Sequence, residues 1–282
     1  MTTTFCDPGR GEAVPAEFAF DDGDFERVRR LIHRRAGISL GDGKQAMVYS
    51  RLSRRLRDTG HASFAGYLQW LEGTGGDAAR GGEWQAFINA LTTNLTAFFR
   101  EEHHFEALAD ELVLRNGARV RVWCAAASTG EEPYSIAIAC AEADARAEIV
   151  ASDIDTQVLA TAARGVYADG ARGLSAERLR RHFLRGTGPN AGLVRVRPEL
   201  ARQVAFRRLN LIDDAMAPGE TFDFVFCRNV MIYFDAATQR RVLERLHAAL
   251  RPGGLLFVGH SENFADARTL FRLRGKTIYE RV

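Results

Sequence analysis

The sequence predicts an α/β protein in two parts: an N-terminal all-helical domain over residues 23–92, then a parallel sheet covered on both faces over 93–282, with a small antiparallel insert at 165–208. Three observations lead there. From residue 24 to about 91, apolar residues recur at helical spacing without strand-like alternation, and glycine-rich stretches at 41–43 and 73–82 break the pattern. After a helix expected over 98–114, short continuous apolar runs at 120–123, 149–150, 222–227 and 255–259 alternate with helical stretches at 131–143, 156–164 and 236–250. Between 165 and 211 that rhythm gives way to a short helix near 175–183 and two alternating runs, 193–197 and 204–208, read as the antiparallel insert.

Composition narrows the class. With 282 residues, 46% hydrophobic and 26% charged, the chain is long enough for a sizeable core and ordinary for a soluble protein. Residues 1–22 are expected to form a flexible tail, and they lack the basic start, apolar run and small-residue cleavage site of a signal peptide. No stretch reaches the roughly 18 apolar residues of a membrane span, so a cytoplasmic protein without membrane insertion is expected. Cys6, Cys124, Cys140 and Cys227 form no C-x-x-C pair, and three of them fall in apolar runs, as buried reduced thiols do. No metal is expected: the seven histidines show no H-E-x-x-H spacing, and the adjacent His103 and His104 should diverge on a helix.

The formal charge of +2 is unevenly spread. Residues 25–60 carry ten Lys/Arg against three acidic residues, and residues 164–208 carry eleven arginines against three, so the remainder of the chain is strongly acidic. Two basic regions suggest an acidic partner. Along 44–57, a step of 100° per residue places Lys44, Arg51 and Arg55 in one sector, beside an apolar stripe of Val48, Leu52 and Leu56.

The corner after the first strand carries the strongest chemical signal. "RVWCAAASTGEEPYSIAI", residues 121–138, runs from strand through small residues into a helix that opens with Glu131, Glu132 and Pro133. It holds one glycine between 124 and 130, so it is not the G-x-G-x-x-G dinucleotide fingerprint. A phosphate would favour the positive helix end, but the two glutamates would repel it. They suit a ligand with positive charge and hydroxyls, such as S-adenosylmethionine with its ammonium, sulfonium and ribose. Asp153, closing the next strand in "IVASDID", stands where an acidic residue takes ribose hydroxyls in such folds.

Six ordered stretches, "TTNLTAFFREEHHF", "RVWCAAASTGEEPYSIAI", "ASDIDTQVLATAARGVY", "FRRLNL", "FDFVFCRNVMIYFD" and "LRPGGLLFVGHSENF", resemble the CheR family of chemoreceptor glutamate O-methyltransferases. The resemblance runs from about residue 25 to the C-terminus. It implies a helical receptor-recognition domain joined to a Rossmann-like class I methyltransferase domain with a small β-subdomain. The implied reaction esterifies glutamates on the cytoplasmic helices of transmembrane chemoreceptors and releases S-adenosylhomocysteine. Carried onto matching positions, it implies that Asn94, Thr96 and Arg100 hold the cofactor from a linker helix and that Glu132 binds it near the first strand. Asp153 takes the ribose, Asn210 and Leu211 flank the adenine, and Arg228, Asn229 and Val230 line the cofactor after the fourth strand. Tyr233 resembles the family tyrosine near the transferring methyl, and with Arg100 it would shape the catalytic site. Lys44, Arg51, Arg54 and Arg55 would meet the acidic receptor helices.

The stretch "FLRGTGPNAGLVRV" resembles the β-subdomain of those members that dock a receptor's C-terminal peptide, with Gly186, Gly188 and Gly192 leaving backbone open to an added strand. A nucleic-acid methyltransferase would also suit the basic regions. Such amino-methylating enzymes usually carry D/N-P-P-Y/F after the fourth strand, where this chain has Cys227-Arg228-Asn229-Val230-Met231, so no nucleic-acid partner is expected. A non-enzymatic cofactor-binding adaptor is disfavoured by the intact cofactor motifs.

Overall fold

The computed structural model describes residues 17–73, 78–213, 221–264 and 268–282. Four helices come first: α1 (Asp22–Ala36), α2 (Gln45–Thr59), α3 (Phe64–Glu72) and α4 (Ala78–Leu91). Asp21 and Ser63 cap α1 and α3 by accepting the N–H groups of Asp24 and Gly66, while Gly37 and Gly60 end α1 and α2 in the left-handed conformation. Val28, Ile32, Val48, Leu52, Phe64 and Leu68 share one fully buried core.

The expected tail is corrected in part. Residues 1–16, with Cys6, lie outside the described residues, but 17–22 are tied to the helices. Phe20 packs on Phe64 with ring centroids 4.5 Å apart, Glu17 pairs with Arg57 at 3.2 Å, and Asp22 already belongs to α1.

The cationic face expected on α2 is also corrected, because α4 packs against that sector. Arg51 Nη1 donates to the carbonyls of Thr92 at 2.6 Å and Ala90 at 3.4 Å. Arg55 holds Glu83 of α4 with both ends of its fork, at 2.9 and 2.5 Å, and the Tyr67 hydroxyl donates to the same carboxylate at 2.7 Å. Burial, then Glu83, push the Tyr67 pKa well above its ordinary value, so the hydroxyl stays a donor. Arg54 and Lys44 remain exposed.

The second part is built on α5 (His103–Leu114), β1 (Val120–Cys124), α6 (Glu131–Glu142), β2 (Ala147–Asp153) and α7 (Thr156–Arg164). There follow β3 (Val166–Ala168), α8 (Ala176–His182), β4 (Phe183–Arg185), β5 (Leu193–Val196), α9 (Pro198–Ala201) and β6 (Val204–Arg208). β7 (Phe222–Phe226), α10 (Ala236–Ala249), β8 (Leu250–Phe257), β9 (Phe271–Gly275) and β10 (Ile278–Arg281) complete it. The main sheet has the order β6-β2-β1-β7-β8-β10-β9, parallel from β6 to β8 and antiparallel at β10 and β9.

Successive side chains of the central strands serve opposite faces. Val122, Cys124, Phe224 and Phe226 pack with Leu108 of α5 and Ile136 of α6, while Trp123, Val225 and Phe222 pack with Val242 and Leu246 of α10. Cys124, Cys140 and Cys227 are free and buried. No helix among the described residues is long and apolar enough to cross a membrane.

Three further expectations change. The run 204–208 is not part of the insert: β6 pairs in parallel with β2, from Ile149↔Val204 to Asp153↔Arg208, as the edge strand of the main sheet. The antiparallel insert is the sheet β3-β5-β4. The helix expected from 98 begins at His103, because Phe99 and Glu101 hold left-handed backbone with φ of 49° and 59°. The opening expected at the glycines of 186–192 is narrower, since they form the link between β4 and β5 and part of their backbone is already paired. The Gly186 N–H donates to Leu193 O at 2.8 Å, the Gly192 carbonyl accepts from Asp169, and that of Gly188 accepts from Ala191.

The Arg55–Glu83–Tyr67 cluster gives a stability prediction. Arg55→Ala leaves the buried Glu83 carboxylate without its cation, and should lower unfolding stability in urea by about 2–4 kcal/mol. A loss below about 0.5 kcal/mol would show that Glu83 does not need its partner.

Candidate functional site

A cleft of about 1190 Å³, mouth included, opens over the carboxyl ends of β1, β2 and β7, between the sheet and the helical part. The sheet lends Ala125, Asp153 and Asn229 to its lining, the segment before α5 lends Asn94, Thr96 and Arg100, and the helical part lends Leu40, Lys44 and Met47. Of the residues assigned to cofactor or catalysis from sequence, all eleven line this one cleft: Asn94, Thr96, Arg100, Glu132, Asp153, Asn210, Leu211, Arg228, Asn229, Val230 and Tyr233. Lys44 joins them, whereas Arg51, Arg54 and Arg55 do not.

The corner between β1 and α6 is shaped for close approach. Gly130 has φ of 100°, and a Cβ there would lie 2.7 Å from the Tyr167 hydroxyl and 2.9 Å from Ala162 Cβ, so a larger residue would force the turn apart. The two glutamates part company at the helix start. Glu131 accepts from Thr129 Oγ1 at 2.6 Å as a local helix-start charge, while Glu132 reaches the cleft and accepts from Arg228 Nη1 at 2.7 Å.

Arg228 is buried, its side chain 1% exposed, and it binds more than Glu132. Its other Nη lies 3.5 Å from Glu101 Oε2 and donates to the Arg100 carbonyl. Burial alone would raise the Glu101 pKa, but the Arg228 charge, with His260, His104 and Asn229, holds it below the ordinary value. Thus the guanidinium lies between two carboxylates, and the turn at 98–101 is stapled to the loop after β7. Arg100 itself curls onto Leu95 O at 2.9 Å, from a turn rather than the expected linker helix.

Asp153 ends β2 at the cleft floor. Its Oδ2 accepts the Ser128 N–H at 2.8 Å and its Oδ1 the Asp155 N–H at 2.9 Å. Burial raises its pKa, opposed by those N–H groups. Each oxygen keeps a lone pair for a further donor, which suits a ribose diol, and the Glu132 carboxylate at the corner suits an ammonium. The donor set therefore fits S-adenosylmethionine.

Several assigned side chains are partly spoken for within the protein. Asn94 Nδ2 donates to Asp155 at 3.0 Å, and Asn210 Nδ2 donates to the Arg35 carbonyl at 2.9 Å and to Asp213. Sequence reasoning passed over Glu101, Asp155 and Glu262, although all three lie inside the quoted stretches "TTNLTAFFREEHHF", "ASDIDTQVLATAARGVY" and "LRPGGLLFVGHSENF".

His103 and His104 do not diverge as expected: their ring centroids are 4.1 Å apart, and with Glu101 they bring three ligand-type atoms within 4.8 Å. The helix begins there, and the two rings lie tilted at 50° to one another. Burial, then the Arg228 charge, push the His104 pKa down to about 3, leaving a neutral ring.

Asp153→Ala and Arg100→Ala should each weaken S-adenosylmethionine and S-adenosylhomocysteine about equally, by roughly tenfold or more, since a lost hydrogen bond to a charged group is worth about 1.5–3 kcal/mol. Calorimetric affinities of both mutants within twofold of wild type would overturn these assignments.

Comparison with known proteins agrees with the cleft. Residues 23–92 match the all-alpha domain of CheR methyltransferase and residues 94–279 match its SAM binding domain. The chain is 53% identical over 266 residues to the chemotaxis protein methyltransferase of Escherichia coli (strain K12), spanning 93% of this chain and 91% of that one. It is 54% identical to the chemotaxis protein methyltransferase of Salmonella typhimurium (93% and 91% covered), and 52% identical to chemotaxis protein methyltransferase 2 of Pseudomonas aeruginosa (93% and 94%). A helical domain over a class I sheet, a cleft that fits S-adenosylmethionine and similarity across nearly the whole length together mean that this chain belongs to the CheR family of chemotaxis methyltransferases.

Proposed function

We propose that the chain transfers the methyl group of S-adenosylmethionine to glutamate side chains on the cytoplasmic domains of transmembrane chemoreceptors, giving glutamate 5-O-methyl esters and S-adenosylhomocysteine. The observation that carries this reading is that the carboxylates lining the cleft are already engaged, Glu132 by Arg228 and Asp153 by two backbone N–H groups. Both are assigned here to the cofactor, and no histidine lines the cleft among the described residues, so no carboxylate or imidazole is left to take a proton from an acceptor. Such a site serves an acceptor that arrives as an anion, and a glutamate carboxylate is one.

When bound, the cofactor supplies a methyl group activated by its sulfonium. The residues of this chain then have three tasks. Asp153 and Glu132 orient the cofactor, Arg100 positions carboxylates by charge-assisted hydrogen bonding, and Tyr233 shapes the place where acceptor and methyl meet. Alignment of this kind is worth on the order of 7–11 kcal/mol at best, so no acid or base step is required. Methylated receptor whose label is released by mild base is the expected product when the protein, labelled cofactor and a receptor signalling domain are mixed. Label on DNA, or base-stable label, would reject the reading.

Recognition of acidic receptor helices falls to the cations that stay exposed, Lys44 at the cleft and Arg54 on the adjoining face of α2. Exposed charges speed encounter rather than tighten the complex, and salt screens them. Arg54→Glu should lower kcat/KM at limiting receptor several-fold at low salt and flatten its salt dependence. An unchanged salt profile would assign Arg54 to the solvated surface.

A receptor's C-terminal peptide would add as a strand to the outer edge of β4, where Leu184 is 43% exposed. A tethered receptor then meets the cleft at an effective concentration that reaches the millimolar range for a short linker. Titration of such a peptide should detect binding that Leu184→Asp weakens. No binding to wild type, or equal binding to both, removes the tether and leaves the methyl transfer reading intact.

A further inference from the structure

The loop after β7 carries Asn229, Val230 and Tyr233 into the lining of the cleft, yet its backbone is unusual. Asn229 is left-handed with φ of 58°, and the loop makes no regular ladder before the short turn at 231–233. What holds it is a carboxylate from a different segment. Glu262, 3% exposed, accepts the N–H of Asn229 at 2.9 Å and of Gly259 at 2.6 Å on Oε2, and the N–H of Met231 at 2.8 Å on Oε1.

The fit is close. A Cβ on Gly259 would lie 2.2 Å from Asn229 Nδ2 and 2.9 Å from Glu262 Oε2. All the donors are backbone groups converging on one side chain, so a group that accepts at both ends is required there. An amide presents NH₂ at one end and would face an N–H with an N–H.

We propose that Glu262 is a positioning residue for methyl transfer: its two oxygens gather the backbone of residues 229–231, so that Asn229 and Val230 line the cofactor while Tyr233 faces the acceptor. It acts through the loop and touches neither reactant. The part of this concerning Tyr233 rests on the methyl-transfer reading above, whereas the part concerning Asn229 and Val230 rests only on the cofactor cleft.

The test compares wild type, Glu262→Gln and Glu262→Asp by S-adenosylhomocysteine calorimetry, thermal melting and receptor methylation. The Gln variant should bind S-adenosylhomocysteine about tenfold more weakly and lose at least tenfold in kcat, with little change in the KM for receptor. The Asp variant keeps two acceptor oxygens and should recover part of both losses. A folded Gln variant with wild-type affinity and kcat, or one whose only defect is a lower melting temperature, overturns the proposal. If wild type methylates no receptor, the substrate reading fails while the calorimetric arm still decides the role of Glu262. If neither variant folds, amide exchange in wild type decides: protection of Gly259, Asn229 and Met231 is expected, and rapid exchange of all three overturns it.

Discussion

The cleft depends on a guanidinium that cannot be left alone. Arg228 sits almost without solvent contact, where an unpaired charge is expensive, and two segments distant in sequence compensate it: the start of α6 through Glu132, and the turn at 98–101 through Glu101 and the Arg100 carbonyl. The cation in turn keeps the Glu101 pKa below its ordinary value and orients Glu132. The corner that opens a helix with two glutamates is therefore explained twice over. Glu131 satisfies the helix start, and Glu132 is both counter-ion to Arg228 and a wall of the cofactor site.

Most of this architecture was legible because the central strands and their helices bury complete faces. β1 and β7 read as apolar runs, β8 only in its second half because it begins five residues before the expected run, and α6, α7 and α10 begin and end within a residue or two of the expected limits. Edges were less legible. β6 alternates, with exposed Arg207 and Arg208, because one side of an edge strand meets water, and alternation read as antiparallel pairing. β9 and β10 went unanticipated: the outer residues of β9, Arg272 to Gly275, are exposed, and the alternation Phe271-Arg272-Leu273-Arg274 is too short to stand out.

The site residues were legible as types more than as partners. A helical wheel locates Arg51 and Arg55 beside the apolar stripe of α2 but cannot say that α4 fills the adjoining space, and that is what turns a cationic face inward. Likewise Glu262 belonged to a recognised stretch without a role, because its partners are backbone N–H groups of a loop some thirty residues earlier, and backbone donors leave no trace in sequence.

The joint between the two parts runs through the segment of Tyr233. Ser39 N–H donates to the Tyr233 carbonyl at 2.7 Å, Ile38 bridges Phe234, and His33 meets Asp235 at 2.6 Å. Gly37 leaves no room for a side chain there, since a Cβ would stand 2.7 Å from Ile212 Cγ2. Two modules that match separate family models are thus not interchangeable cassettes. A chimera that borrowed the helical module from a relative would have to import the tyrosine loop's neighbours as well, so recombination between such chains is constrained at the seam rather than inside either module.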